Sequence, residues 1–377
     1  MKIGIFGGSF DPVHSQHIAL ARHAIEELQL DKLFILPAYA PPHKRGKVLA
    51  ADSHRLEMCR LAFADVPKAE VSDYEITAQG TSYTYLTLRR FAALYPTAKL
   101  YFLVGTDMLR DFPTWKRPEE ILTLATLAVC SRAEQRGWEV EELVRFRARF
   151  GCDFLPISYV AQDVSSTEIR VLAGAGIDLT PFVGESVAEY IEKNHLYEST
   201  GAKQSLALQS PKRAAHSVRV ALMAAKKAQQ LKLDEGKAIC AALLHDCAKN
   251  LEKDSPLLNG FIPPKGVPPP VLHQYAGAYV AKTSLGVTDG EVLSAIECHT
   301  SGKPNMSPLD KLIFLADLVE EERTYDGAER LRALFWTDFE ECLRVSLRET
   351  VAYLTDQGGE IYEKTLLAYD YYQEKKE

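Results

Sequence analysis

An α/β half built on a doubly wound parallel sheet, followed by an all-α half, is the architecture this sequence predicts. Its 377 residues exceed what one compact core usually covers, so at least two domains are expected. Up to about residue 199, short continuous apolar runs alternate with helical patterns, as in parallel strands covered on both faces. Beyond residue 200 helical periodicity takes over, and we place an α/β domain at 1–199 and an all-α domain at 200–377.

The apolar runs 2–6 (KIGIF), 32–36 (KLFIL), 99–104 (KLYFLV), 126–130 (TLAVC) and 153–157 (DFLPI) are read as buried strands. Helices are expected near 17–29, 53–64, 84–95, 118–124 and 139–149 between and around them. In such sheets ligands bind beyond the carboxyl ends of the strands. In the second half, helices are expected over 214–231, 235–250, 272–285, 289–299, 308–322, 337–355 and 359–373. The segment 254–270 carries six prolines and is read as a loop, because proline breaks a helix interior.

Composition narrows the function. Hydrophobic residues at 46% and charged residues at 25% describe an ordinary globular chain rather than a disordered or membrane-embedded one. The net charge of −7 divides into −4 and −3 between the halves, so a duplex nucleic acid partner is not expected. Seven scattered cysteines without a Cys-x-x-Cys pair fit a reduced compartment. The opening MKIGIFGGSF runs straight into a strand and lacks a secretory signal's long apolar core, and no apolar stretch spans a bilayer. A cytoplasmic location without a membrane partner is therefore expected; a homodimer is compatible with these features.

The first chemical constellation follows the first strand: Gly7-Gly8-Ser9-Phe10, then His14 and His17. Glycines let backbone amides approach a phosphate, and a helix N-terminus favours an anion. Two imidazoles three residues apart share the helix face, where they could donate to charge developing in phosphoryl or nucleotidyl transfer. Pro37 to Lys44 (PAYAPPHK) follows the second strand, Gly105-Thr106-Asp107 ends the next long one, and Trp115 lies in a polar loop after it. Ser165, Ser166 and Thr167 open a helix with Arg170 one turn in; they suit a helix cap or a triphosphate cradle.

Together with TSYTYLTL (81–88), FPTWKRPEEIL (112–122) and VGESVAEYIEKNHLY (183–197), these segments make residues 1–199 resemble the nicotinate-nucleotide adenylyltransferases of the HIGH-type nucleotidyltransferase superfamily. The resemblance implies a Rossmann-like fold that joins nicotinate mononucleotide to the AMP part of ATP with Mg²⁺, releasing pyrophosphate. It assigns His14 and His17 to the ATP phosphates, and Ser165, Ser166, Thr167 and Arg170 to triphosphate and adenosine. It gives Asp107 the ribose or nucleotide, Thr84 and Trp115 the pyridine ring, and Lys44 a phosphate. Gly7, Gly8, Ser9, Phe10 and Gly105 would line the nucleotide. Two positions depart from the family pattern: Gln16 replaces the glycine of His-x-Gly-His, and Leu86 an aspartate. Gln16 introduces a Cβ and an amide where glycine leaves space, and a clash with the nucleotide is the favoured reading of that change. A competing reading keeps the first half as a nucleotide-binding regulator whose catalysis has decayed.

The second constellation is dispersed. His216, His245, His273 and His299 are the histidines of the second half, with Asp246 beside His245 and Asp317 further on. Each histidine and Asp317 falls on a different expected helix, several in apolar contexts where a buried polar group needs a partner. Imidazoles and carboxylates around one cavity suit iron, manganese or a similar divalent ion. With ALLHDCAKN (242–250), LHQYAGAYVAK (272–282) and the run 295–323, this half resembles the HD phosphohydrolase superfamily, and more closely its symmetrical bis(5′-nucleosyl)-tetraphosphatases. That likeness implies an HD-type helical domain whose di-iron or other divalent centre is held by His216, His245, Asp246, His273, His299 and Asp317. It implies phosphate contacts from Lys249, Arg323, Thr300, Ser301 and Gly302, and symmetrical cleavage of diadenosine tetraphosphate to two ADP. The whole chain is thus expected to be a bifunctional enzyme.

Overall fold

The computed structural model describes residues 1–40, 49–132, 138–161, 164–358 and 360–374. The chain divides into two compact units: Met1–Ile169 with Asp178–Leu196, and Arg170–Ile177 with Tyr197–Glu377.

The first unit is built on six parallel strands: β1 (Lys2–Gly8), β2 (Lys32–Pro37), β3 (Ala69–Val71), β4 (Lys99–Gly105), β5 (Thr126–Arg132) and β6 (Leu155–Ala161). They lie in the order β3-β2-β1-β4-β5-β6. The chain winds outward from β1 in one direction and then from β4 in the other, so β1 and β4 flank the crevice where such sheets bind ligands. Ile3, Ile5, Leu33, Ile35, Leu127 and Val129 are fully buried, as continuous apolar strands between two helical layers must be. The edge strand β3 is three residues long with glutamate at its centre, too short and too polar to show a strand period in the sequence. The helix Ser15–Glu27 turns Leu20, Ala21, Ala24 and Ile25 inward, and that register fixes how its first turn presents His14 and His17.

The second unit is helical. Along Pro211–Leu231 the alanines 221, 224, 225 and 228 are buried, and Ala238, Ala241 and Ala242 are buried on Glu235–Leu244. Side chains this small let the two backbones approach closely. Side-chain caps set where several helices start: Asp234 accepts from the Lys237 amide at 3.0 Å, and Asp289 from the Glu291 amide at 2.8 Å. Ser307 and Asp310 form a reciprocal capping box at the head of Pro308–Val319.

The helices end earlier than the periodicity implied. Glu235–Leu244 stops at Leu244, leaving His245 at its C-cap, and Gly290–Cys298 leaves His299 at its C-cap. A further helix, Ala328–Thr337, precedes Phe339–Asp356. Among the described residues no helix is long and apolar enough to cross a membrane.

Candidate functional site

Each unit gathers one of the two constellations. In the first, the turn after β1 carries Ser9 and Phe10, the latter at φ +45° with its ring buried. Gly8 packs closely beneath it, where a Cβ would lie a tight 3.1 Å from that ring. Phe10 meets the His17 ring edge-on at a 5.0 Å centroid separation, and the His14 and His17 rings lie 3.7 Å apart. The backbone amide of His14 donates to Nδ1 of His17 at 3.2 Å. In the neutral ring that contact puts the proton on Nε2, so His17 is set up as a donor on the side away from its own backbone.

Arg55, which motif reasoning missed, holds this turn. Its guanidinium is buried and donates to the Ser9 carbonyl at 2.8 Å and the Ala50 carbonyl at 3.0 Å. The Ala50 amide in turn donates to Asp11 Oδ1 at 3.2 Å. The available signal was spacing: Arg55, Cys59 and Phe63 follow one another at four-residue intervals on the buried face of Asp52–Phe63.

The neighbouring strand ends deliver the other candidates. Gly105 caps the short helix Thr106–Asp111, and a Cβ on it would meet the Asp107 carboxylate at 2.6 Å. Ser166 donates through Oγ to the Pro12 carbonyl at 3.0 Å, and Ser165 Oγ accepts from the Glu168 amide at 3.2 Å. The expected cradle is thus a capped helix start tied to the histidine turn. Ser82 Oγ accepts from the Tyr39 amide at 3.0 Å, which brings the segment leading to Thr84 beside the end of β2. Thr84 opens Thr84–Leu94, while Leu86 is exposed. Trp115 packs its ring against Phe112 and edge-on against Phe102.

Gln16 does not point its amide at random. Its Oε1 accepts from the Tyr159 hydroxyl of β6, so the substituted position is anchored sideways onto the sheet. Arg170 lies in the second unit, where its guanidinium is gripped by Glu235 at 2.6 and 2.7 Å. Lys44 lies outside the described residues.

In the second unit five elements converge. His216 comes from Pro211–Leu231, His273 from Pro269–Thr283 and Asp317 from Pro308–Val319, while His245 and His299 stand at helix C-caps. The negative end of each helix dipole favours a cation there. His216 Nε2 lies 2.9 Å from Asp317 Oδ1. Asp246 Oδ1 lies 3.4 Å from His273 Nε2 and 3.6 Å from His299 Nε2, and the latter two nitrogens are 3.1 Å apart. His245 Nε2 is buried without a hydrogen-bond partner, 3.7 Å from Asp246 and 3.9 Å from Asp317. Two triads, His216-His245-Asp317 and His245-Asp246-His299, have ligand atoms mutually within 4.8 Å.

Protonation states match the geometry. Burial depresses His245, and burial with the nearby His299 and Lys249 brings His273 down to about 3, so both are neutral near pH 7. Burial pushes Asp246 up, but His245, His299 and His273 outweigh it and hold the carboxyl well below the usual range. Asp317 is held low in the same way by His216, His245 and Arg323. Neutral imidazoles and ionised carboxylates are the forms that bind a metal. An orphaned buried imidazole nitrogen inside such a set fits a divalent ion.

Around the cluster, Lys249 Nζ lies 2.9 Å from His273 Nε2, and burial lowers its affinity for a proton. Arg323 pairs with Asp317 at 2.6 Å, and Arg213 with Asp246. Of the expected 300–302 contacts, Thr300 reaches His273 Nε2 at 3.0 Å. Ser301 and Gly302 are buried behind it. Gln274, another residue the motifs did not flag, clamps this loop: its Oε1 accepts from the Thr300 and Ser301 amides at 3.1 Å each, and its Nε2 donates to Ser301 Oγ.

Comparison with known proteins matches the two parts of the chain to separate families. Residues 5–172 match the cytidylyltransferase-like family and residues 213–322 the HD domain family. A Mycoplasma genitalium protein named probable nicotinate-nucleotide adenylyltransferase/Ap4A hydrolase is 32% identical over 325 residues, 85% of this chain and 88% of its own. The Mycoplasma pneumoniae protein of the same name is 33% identical over 328 residues, 85% and 89% of the two chains. A probable nicotinate-nucleotide adenylyltransferase of Albidiferax ferrireducens is 40% identical over 202 residues, 52% of this chain and 98% of its own.

Proposed function

This chain belongs to the nicotinate-nucleotide adenylyltransferase/Ap4A hydrolase family, and from that premise we propose that it runs two reactions in two units. The first unit transfers the adenylyl group of ATP to nicotinate mononucleotide and releases pyrophosphate. The second hydrolyses diadenosine tetraphosphate symmetrically to two ADP. The observation that carries the reading is the buried cluster around His245 Nε2, a donor set that suits a divalent centre.

In the first unit the chemistry is positioning and charge stabilisation. ATP arrives with Mg²⁺. His17 donates from Nε2 to phosphate oxygens as negative charge builds on the departing pyrophosphate, and His14 lies against its ring. Backbone amides of the Gly7–Phe10 turn and the Ser165–Thr167 helix start add donors, and Asp107 takes the ribose side. Thr84 and Trp115 frame the pyridine ring, and Lys44 supplies a cation.

In the second unit His216, His245, Asp246, His273, His299 and Asp317 would hold two divalent ions, iron or similar. Bound there, such ions supply a water of lowered pKa and Lewis-acid polarisation of phosphoryl oxygens. Lys249 and Arg323 offset charge on the polyphosphate, and Thr300 offers a hydroxyl beside His273. Burial keeps the His245 and His273 imidazoles neutral and so available as ligands at neutral pH.

The test is product analysis on the intact chain. ATP with nicotinate mononucleotide should yield pyrophosphate and the deamido dinucleotide in equal amounts. Diadenosine tetraphosphate should yield ADP alone; AMP plus ATP would contradict symmetrical cleavage, and the absence of pyrophosphate would leave the first unit as a nucleotide-binding regulator.

A further inference from the structure

We propose that Glu320 is a positioning residue for the metal centre: a buried carboxylate that grips the outer nitrogen of His216 and aims Nε2 into the cluster. The proposal rests on the metal-site reading above and adds a residue to which neither the motifs nor the triads give a role.

Glu320 sits at the C-cap of Pro308–Val319, three residues beyond Asp317, with its side chain 3% exposed. That spacing presents both carboxylates from one helix end, and the His216 imidazole lies between them. Nε2 faces Asp317 Oδ1 at 2.9 Å, while Nδ1 faces Glu320 Oε1 at 3.2 Å. The second oxygen of Glu320 is fixed independently: Arg219 Nε donates to Oε2 at 2.9 Å and the Glu322 amide donates to it at 3.0 Å. Arg219 is itself braced by Glu322 at 2.8 Å. The carboxylate is thus held from the far side and leans on the imidazole edge opposite the cluster, where it can orient the ring but cannot ligate the ion that Nε2 would meet.

The other rings show why this matters. His245 Nδ1 lies 2.6 Å from the Ala242 carbonyl and His299 Nδ1 lies 2.8 Å from the Ile296 carbonyl. Each of those rings is oriented by the last turn of its own helix. His216 lies inside a long helix whose carbonyls are already engaged, so it has no such local acceptor and takes a carboxylate from another helix instead. A carboxylate is a stronger acceptor than a carbonyl, and partners of this kind raise both the fixity and the donor strength of a ligating imidazole.

The experiment is a Co²⁺ titration of the metal-free, full-length protein against a competing chelator of known affinity, read by visible absorption of the bound ion. Glu320→Ala should weaken Co²⁺ binding by about 10- to 100-fold and shift the absorption band. Glu320→Gln keeps an oxygen acceptor and nearly the same volume, and should fall between wild type and alanine. Thermal unfolding of the metal-free proteins identifies which variants are folded; should Glu320→Ala not fold, the isosteric glutamine variant carries the test. Co²⁺ affinity and spectrum equal to wild type in the folded variants would overturn the role of Glu320. Failure of wild type itself to bind Co²⁺ would overturn the metal-site reading instead.

Discussion

The two candidate sites are built in opposite ways. In the first unit the chemistry sits on backbone turns at the carboxyl ends of strands, with a histidine pair, a helix start and an aspartate around an edge that substrate must complete. In the second it is packed into a helical core, where six side chains meet before any substrate arrives. On the proposed reading the first arrangement stabilises charge that appears only during reaction. The second accepts a standing electrostatic cost, two close carboxylates and the orphaned His245 Nε2 included, that a cation would relieve. Sites of the first kind should lose rate when damaged, whereas sites of the second kind should lose their ion.

The largest effect expected follows from that difference. Asp246→Ala removes the carboxylate shared by His273, His299 and His245, and should abolish both bound metal and hydrolysis. Elemental analysis beside the hydrolysis assay checks it; hydrolysis with full metal content would break the distinction. Next, His17→Ala should lower adenylyl transfer by about 10²-fold through kcat with little change in KM, the signature of a donor to developing charge. A KM effect alone would make His17 a simple binding contact.

Arg55→Met tests whether the first site depends on a buried scaffold. It strands the Ser9 and Ala50 carbonyls, at a cost of about 1–3 kcal/mol for a buried group left unsatisfied, and should lower the unfolding midpoint along with transfer. Chemical denaturation of both proteins measures this; unchanged stability would mean that the turn holds itself. The smallest effect concerns Glu75, which accepts from Thr87 Oγ1 at 2.7 Å in the first unit. Burial raises its pKa against the opposing hydrogen bonds of Thr87 and Ser82. A carboxyl whose folded-state pKa is raised favours the fold while protonated and loses that advantage as pH rises through the folded value. Glu75→Gln should therefore gain stability relative to wild type with rising pH and converge on it in acid, as seen in melting temperature against pH.

The same contrast decided what could be read from the amino acids. The nucleotide site was legible as contiguous strings, because a turn between a strand and a helix is local: Gly7 to His17 remain neighbours in space. The metal cluster was legible as a set, because polar groups recurring in apolar helical contexts must meet a partner. The supporting residues escaped. Arg55, Gln274 and Glu320 act through partners 46, 27 and 104 residues away, and the one local sign is the place of Arg55 on the buried face of Asp52–Phe63. Helix ends were misplaced at Leu244 and Cys298 because the apolar period runs on through His245 and His299 even where the backbone leaves the helix. The partner of Gln16 could not be foreseen either, since Tyr159 lies 143 residues away on β6.

The central claim is that one chain carries two independent chemistries, and crossed variants test it most directly. Both rates are measured on wild type, His17→Ala, His245→Ala and the double variant, with metal content determined for each. His17→Ala should lose adenylyl transfer and keep hydrolysis and metal. His245→Ala should lose metal and hydrolysis and keep adenylyl transfer, and the double variant should show the two losses combined without interaction. Loss of hydrolysis in His17→Ala, or full hydrolysis in a metal-depleted His245→Ala protein, would contradict the account.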